Sequence, residues 1–177
     1  LIELESPNYQ FVAARLLLFG VRKKLWGRIH EAPSLGNHIT KCIREGVYDS
    51  HFTSKYTDQE IDELDSYIDH DRDYLFTYAG LRQVTDKYLV QDRSTGDLYE
   101  TPQFMYIMIA ATMFSEYPKE TRLDYVKRYY DAISRHRINI PTPVMGGVRT
   151  PIRQFASCVL VDIDDTLDSI FSSDMAI

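Results

Sequence analysis

One short stretch near the end of the sequence, FASCVLVDIDDTLDSI at residues 155–170, offers two kinds of chemistry. Asp162, Asp164 and Thr166 stand at the spacing D-x-D-x-T, which suits a carboxylate nucleophile that attacks phosphate beside Mg²⁺. Cys158 offers instead a redox thiol, followed by a turn that would bind a nucleotide. The two interpretations are incompatible, and the rest of the chain has to separate them.

The phosphatase interpretation fails on the position of the motif. VLVDIDDTL resembles the nucleophile loop of haloacid-dehalogenase-like phosphatases, with Asp162 as the nucleophile and Asp164 as the acid/base. In that family the loop follows the first strand of a doubly wound sheet, and later strands supply a lysine and the acidic metal ligands. Here only eleven residues follow Thr166, and the preceding sequence is helical in pattern. A complete phosphatase of this kind cannot be built from this chain.

Three other polar groups have the composition of a site, and each has a simpler structural interpretation. His38 and Cys42 lie one helical turn apart, but no third ligand is near them, so we interpret both as core residues. The run IDHDRD at 68–73 would point its acids and histidine in different directions on a helix, which makes a poor metal site. The basic run at 22–24 suits a helix C-terminus. No metal site is predicted.

Composition narrows the class of protein. The 177 residues are 44% hydrophobic, enough for a real core, and the net charge of −6 argues against nucleic-acid binding. The longest uncharged apolar run, 104–115, is far shorter than the roughly 20 residues that span a bilayer, and the start of the sequence has no signal-peptide pattern. Cys42 and Cys158 form no C-x-x-C motif, which fits a reducing compartment. We expect a cytoplasmic protein with no nucleic-acid or membrane partner.

Helical periodicity and capping signals dominate most of the chain. The predicted helices begin at Ser6-Pro7, near Leu35, at the capping box Thr57-x-x-Glu60, at Thr101-Pro102 and near Thr121. The run FMYIMIAATMF is apolar on nearly every side, so that helix should lie at the centre of the core. Between the helices, KYLVQDRSTGDLYE at 87–100 has two β-prone runs around a polar turn and predicts a hairpin.

The pattern changes at Arg137. INIPTPVMGGVRTP places two prolines around Thr142 and is followed by SCVLVDI, a β-rich run that looks like a buried strand. We therefore predict an all-helical domain over 1–137 and the beginning of a second unit over 138–177.

The segment RINIPTPVMGGVRTPIRQFASCVLVDIDDTLDSI, 137–170, resembles the start of the catalytic barrel in the large subunit of class I ribonucleoside-diphosphate reductases. SPNYQFVAARLLLFGVRKK, KYLVQDRSTGDLYETPQF and ETRLDYVKRYYDAIS are similar to the helical domain that precedes this barrel, in the same order. The resemblance covers nearly the whole chain, so the D-x-D-x-T spacing is an accident. The resemblance implies a mainly α fold: a helical domain with one β-hairpin, then the first strand of a ten-stranded α/β barrel. The implied activity is reduction of ribonucleoside diphosphates to deoxyribonucleoside diphosphates by thiyl-radical chemistry.

The resemblance also assigns roles to individual residues. Cys158 falls on one half of the redox dithiol, Ser157 and Thr142 fall on substrate-binding positions, and Thr142 lies by the diphosphate. The effector, a deoxynucleoside triphosphate or ATP, would bind at a turn formed by Asp165, Thr166 and Leu167. From the residues alone, Asp165 could also be an N-cap of the following helix and nothing more. Asp164 departs from the run CGDS that many relatives have, and adds a negative charge beside that turn.

Several parts of the family's machinery have no counterpart among these residues. The thiyl-radical cysteine, its neighbouring Asn and Glu, the second redox cysteine and the tail that docks the small subunit would all follow residue 177, and an ATP-cone would precede residue 1. We therefore expect a fragment or split chain that is inactive alone. Its expected partners are the remainder of the large subunit, a small subunit whose metallo-cofactor generates the radical, a second large subunit, and thioredoxin or glutaredoxin. No cofactor is expected on this chain.

A different class of function remains open. A non-catalytic helical scaffold or binding module could have kept the same fold and lost the chemistry. Such a module would not need a cysteine after RQFAS, and Cys158 is present, which favours the enzyme.

Overall fold

The computed structural model describes residues 6–152, 154–158 and 160–176, and these are mainly helical, as predicted. The α-helices are α1 (Tyr9–Trp26), α2 (Leu35–Arg44), α3 (Phe52–Lys55), α4 (Asp58–Tyr67), α5 (Tyr78–Lys87), α6 (Pro102–Met113), α7 (Lys119–Ser134), α8 (Thr142–Gly147) and α9 (Leu167–Ala176). A 3₁₀ turn at His70–Leu75 connects α4 to α5. Within the described ranges, no helix has the length and apolar character needed to cross a membrane.

The helix ends follow local signals in the sequence. Gly27 and Gly46 adopt left-handed backbone conformations, with φ of 72° and 71°, just after α1 and α2. Residues with a Cβ rarely adopt this conformation, so glycine is the usual residue there. At the start of α4, the Thr57 hydroxyl accepts a hydrogen bond from the Glu60 N–H, and the Glu60 carboxylate accepts one from the Thr57 N–H. The predicted capping box is confirmed.

Helix α6 lies at the centre of the core, as its sequence predicts. Every side chain from Pro102 to Ala111 is buried. Three aromatic rings from other elements surround Phe104: His38 stacks on it with ring centroids 4.1 Å apart, and His70 and Trp26 meet it edge-on. Helix α7 packs along α6, α1 packs against α5, and α2 packs against α4.

A buried polar network ties the IDHDRD segment to the core. Asp73 is buried and accepts hydrogen bonds from Arg22 Nη2 at 3.1 Å and from Gln103 Nε2 at 2.9 Å. Tyr130 donates to Gln103 Oε1 at 2.7 Å and accepts from the Asp69 N–H at 3.0 Å. The structural interpretation of this acidic run holds for Asp73, which is bonded in the core, and for Asp69, whose carboxylate accepts from the Asp71 N–H at 3.1 Å within the turn.

The hairpin predicted at 87–100 is wrong as a pair of strands. In the described part of the chain its β pairing is a single antiparallel bridge between Gln91 and Leu98. The Val90 N–H, which would extend the ladder, donates instead to Glu100 Oε1 at 2.7 Å. A two-stranded ribbon is only marginally stable by itself, so a side-chain acceptor outcompetes the second strand here.

Among the described residues of SCVLVDI, 157–158 and 160–163, the predicted strand is not formed, and these residues do not show the start of a barrel. Residues 154–158 and 160–164 have no regular secondary structure, and Leu160 is 97% exposed. A strand needs a neighbour to satisfy its backbone hydrogen bonds. The described residues of this chain provide no sheet with which the segment can pair.

Helical packing continues beyond residue 138, where the second unit is predicted to begin. Met145 and Val148 pack against the buried core, and the Arg149 side chain is fully buried. The division of the chain into 1–137 and 138–177 stays a prediction, and in this structure α8 packs on the helical body.

Candidate functional site

Thr142 is the first residue of α8 and is exposed to solvent. The flanking prolines, Pro141 and Pro143, restrict the backbone where the helix begins. The Thr142 hydroxyl lies 3.4 Å from the hydroxyl of Tyr88, which follows α5. Thr142 therefore presents a hydroxyl to solvent next to Tyr88, the residue at the end of α5.

The opposite end of α8 is held by a buried ion pair between Arg149 and Glu100, both 0% exposed. Arg149 Nε donates to the two Glu100 carboxylate oxygens at 3.1 and 2.9 Å. Its Nη1 donates to the Met145 carbonyl at 2.5 Å, and its Nη2 donates to the Tyr88 carbonyl at 2.9 Å. Burial alone lowers the pKa of a guanidinium, but the Glu100 carboxylate outweighs burial, so the pKa of Arg149 stays above its ordinary value.

Glu100 also ends a buried chain of hydrogen bonds from α2. The Tyr48 hydroxyl donates to Glu100 Oε2, and His38 Nε2 lies 3.0 Å from the Tyr48 oxygen. An ionised carboxylate only accepts, so the single Tyr48 proton points to Glu100, and His38 Nε2 must be the donor to Tyr48. Burial lowers the pKa of His38 to about 4 and raises the pKa of Tyr48 well above its ordinary value. Both rings are therefore neutral at neutral pH.

Ser157 and Cys158 lie in the non-helical segment that follows α8, and both are exposed. Cys158 Sγ is 3.7 Å from the Ser157 hydroxyl oxygen. An exposed thiol beside a hydroxyl is accessible to a second thiol or to a small substrate.

Asp165 and Thr166 directly precede α9, and Leu167 is its first residue. Thr166 caps this helix: its hydroxyl accepts from the Ser169 N–H at 3.2 Å, and its carbonyl accepts from the Ile170 N–H at 3.0 Å. The alternative that Asp165 is the N-cap is therefore wrong. Asp165 stays exposed beside the helix N-terminus, where a carboxylate or a phosphate is electrostatically favoured.

The structure groups these residues into three places. Ser157 and Cys158 are adjacent, Asp165 to Leu167 form one helix start, and Thr142 stands apart at α8. Among the described residues, no hydrogen bond or ion pair joins any of these three places to another, and no cluster of three or more His, Cys, Asp or Glu has a geometry suited to a metal ion.

Sequence reasoning missed the ion pair that holds α8. Glu100 has one sequence signal, a charged residue directly before the apolar helix that Thr101-Pro102 begins. Arg149 has none, because an arginine in GGVRTP reads as an exposed turn residue. His38 and Cys42 lie in the core, as predicted: Cys42 is 0% exposed and its Sγ lies 3.7 Å from His38 Nε2.

Comparison with known proteins identifies the class to which this architecture belongs. Residues 74–153, from the 3₁₀ turn to just beyond Arg149, match the family described as ribonucleotide reductase, all-alpha domain. The match includes α6, α7, α8 and the buried ion pair. Residues 74–153 therefore belong to a ribonucleotide reductase all-alpha domain.

The rest of the chain is similar to the same kind of protein. Over all 177 residues it is 52% identical to ribonucleoside-diphosphate reductase 1 subunit alpha of Escherichia coli (strain K12) and to ribonucleoside-diphosphate reductase subunit alpha of Haemophilus influenzae. It is 47% identical over 169 residues to the subunit alpha of Enterobacteria phage T4. The chain belongs to the ribonucleoside-diphosphate reductase large-subunit family and spans 23% of the length of the first two relatives and 22% of the third.

Proposed function

We propose that this chain supplies the helical domain and part of the substrate and effector sites of a ribonucleoside-diphosphate reductase alpha subunit. The observation that carries the proposal is the 52% identity to subunit alpha of Escherichia coli along the whole chain, including the segment with Cys158. The reaction would replace the ribose 2'-hydroxyl of a ribonucleoside diphosphate by hydrogen.

Cys158 would be one half of the dithiol that reduces the substrate. The two thiols give up two electrons and two protons and become a disulfide, while the 2'-hydroxyl leaves as water and a C–H bond takes its place. Thioredoxin or glutaredoxin would return the disulfide to the dithiol by thiol exchange. In this structure Cys158 is exposed, which is compatible with this role, because a redox thiol must be open to its substrate and to a second cysteine.

The other site residues would bind rather than react. Thr142 would hold the diphosphate through its exposed hydroxyl and nearby N–H groups, with Ser157 beside the thiol. Asp165 would accept a hydrogen bond from the deoxyribose 3'-hydroxyl of a deoxynucleoside triphosphate effector. Thr166 and Leu167 would place the N-terminus of α9 near its phosphates.

We propose that the missing parts come from the remainder of the large subunit. That remainder would supply strands with which residues 154–164 pair as the first strand of a barrel, together with the second redox cysteine. A small subunit would provide the radical from its metallo-cofactor, and two large subunits would pair across α9. A reducing compartment, the cytoplasm, suits a working dithiol.

The test compares Cys158→Ser with Cys42→Ala in the complete alpha subunit, mixed with its small subunit and recycled by thioredoxin. We expect Cys158→Ser to lose multiple-turnover reduction of ribonucleoside diphosphates, because its dithiol cannot form. Cys42→Ala, which removes a buried thiol, should keep it. Equal activity of Cys158→Ser and wild type would contradict the redox role and leave the chain as a helical scaffold.

A further inference from the structure

The buried Glu100–Arg149 ion pair connects several elements of the fold, and its contribution to stability does not by itself explain why it is buried. Replacing a buried ion pair by apolar residues is often neutral for stability or favourable, so its burial is not explained by stability. Here both side chains are 0% exposed, and Glu100 accepts hydrogen bonds from the Val90 N–H and the Tyr48 hydroxyl as well as from Arg149. A group with this many directed partners holds one geometry and opposes others.

The partners of Arg149 fix α8 at both ends. The guanidinium binds the Met145 carbonyl, in the last turn of α8, and the Tyr88 carbonyl, whose residue reaches the Thr142 hydroxyl at the first turn. A helix of six residues is too short to be stable in isolation, so its orientation must come from such contacts.

The same residue directs the chain out of α8. The Arg149 carbonyl accepts from the Asp49 N–H at 3.0 Å, and the Thr150 hydroxyl donates to the Gly147 carbonyl at 2.8 Å. The segment that leaves this point carries Ser157 and Cys158. One buried contact thus sets both where Thr142 sits and where the chain toward the thiol begins.

We propose that Glu100 and Arg149 are positioning residues for the substrate turn: the buried pair holds α8 so that Thr142 can bind a nucleoside diphosphate. The inference rests on the proposed function. Neither side chain touches the substrate, because both are fully enclosed in the helical body. Their effect reaches the substrate through α8.

The experiment uses the complete alpha subunit with its small subunit and compares two isosteric changes, Glu100→Gln and Asp73→Asn. Asp73 is the matched control, since it pairs with Arg22 at 3.1 Å with side-chain exposures of 0% and 2%. It connects α1 to the 3₁₀ turn, and its side-chain partners among the described residues, Arg22 and Gln103, lie on α1 and α6 and not on α8. Three quantities are measured: the thermal midpoint, kcat and KM for the ribonucleoside diphosphate, and affinity for a deoxynucleoside triphosphate effector.

Both changes should lower the thermal midpoint, because each leaves a buried arginine unpaired. Only Glu100→Gln should raise KM for the diphosphate, by roughly tenfold, the equivalent of about 1.4 kcal/mol. Effector affinity should be unchanged in both variants, because the effector turn begins α9. Arg149→Lys, which keeps the charge and loses the planar fork, should give an intermediate KM and provides a second test if Glu100→Gln does not fold.

Equal values of KM in Glu100→Gln and Asp73→Asn would overturn the positioning role and leave a structural ion pair. The positioning role would also be overturned if KM increased in both variants in proportion to their loss of thermal midpoint. Failure of the proposed function is distinguishable from failure of the positioning role. It would appear in the wild-type alpha subunit, which would then neither bind nor reduce ribonucleoside diphosphates.

Discussion

The two cysteines show how strongly one residue type depends on its surroundings. Cys42 is enclosed by α2 and the chain before α6, with its Sγ 3.7 Å from His38 Nε2 and 3.9 Å from the Tyr99 carbonyl. Burial raises the pKa of the Cys42 thiol to about 12, so almost none of it is thiolate at neutral pH. Cys158 is exposed in a segment without regular secondary structure.

Thiol modification of the folded chain at pH 8 should therefore occur in two phases. We expect one thiol to react rapidly with a disulfide reagent and the other to react only when denaturant is added. The rapid phase should disappear in Cys158→Ser and remain in Cys42→Ala. Two rapid thiols in the wild type would contradict the buried environment of Cys42.

At the scale of elements, Glu60 has two functions that mutation can separate. It completes the capping box of α4, and it accepts a hydrogen bond from Arg122 Nε of α7 at 2.8 Å. Burial by itself raises the pKa of Glu60, but the hydrogen bonds from Arg122 and Thr57 outweigh burial and hold that pKa below its usual value. Arg122 is 3% exposed in its side chain and its guanidinium lies 4.3 Å from the centre of the Tyr56 ring.

We expect Glu60→Gln to lower the free energy of unfolding more than Thr57→Ala does. Loss of the Thr57 cap should cost about 1 kcal/mol. Glutamine preserves a capping box but leaves the buried Arg122 charge unpaired, at a cost of about 2 kcal/mol after allowing for the partial exposure of Glu60. Urea unfolding at pH 7 measures both.

Glu63→Gln is the control, because Glu63 pairs with Lys127 between the same two helices at a more exposed position. Its cost should stay below about 1 kcal/mol. The Glu60 contribution is present above the ordinary glutamate pKa and is lost as pH falls through the lowered value of the folded state. The difference between wild type and Glu60→Gln should therefore shrink in acid, and a difference that stays constant to low pH would contradict the ion pair.

At the scale of the whole molecule, α9 presents an apolar side to solvent. Leu167, Ile170, Phe171 and Met175 are 72%, 45%, 63% and 88% exposed, and at about 100° per residue they fall on one side of the helix. Ser173 is buried and donates to the Asp162 carbonyl at 3.4 Å, so the opposite side faces its own chain. Exposed apolar sides of this kind are typical of interfaces, which supports the proposal that α9 pairs two large subunits.

Phe171→Glu should weaken the dimer of the complete alpha subunit, because it places a charge in the proposed apolar interface. Sedimentation velocity would measure the shift toward monomer, which we expect to be about tenfold or more in dissociation constant. Ser172 is also exposed but lies outside the apolar side of α9, so Ser172→Glu should leave the dimer intact. Equal dimer stability in the two variants would contradict an interface at α9.

Much of the helical body is determined by local sequence. Gly27 ends α1, the Thr57 and Glu60 pair begins α4, and the apolar run from Phe104 predicts the central helix, because these signals act within one or two turns of the chain. The resemblance of the Cys158 segment to its family is likewise readable from the residues, and relatives covering the whole chain confirm the family.

Tertiary structure alone decided the buried ion pair, the loss of the hairpin and the absence of a strand among the described residues of SCVLVDI. Nothing local indicates that Glu100 is buried against Arg149, 49 residues later, and that same carboxylate takes the Val90 donor and reduces the hairpin to one bridge. SCVLVDI has strand character, but a strand exists only where another strand completes its hydrogen bonds. A buried ion pair and a β-sheet both depend on partners that are distant in sequence. The physical reason is the same for both: local patterns specify which structure a segment prefers, and long-range contacts decide which of its hydrogen-bond donors and acceptors are satisfied.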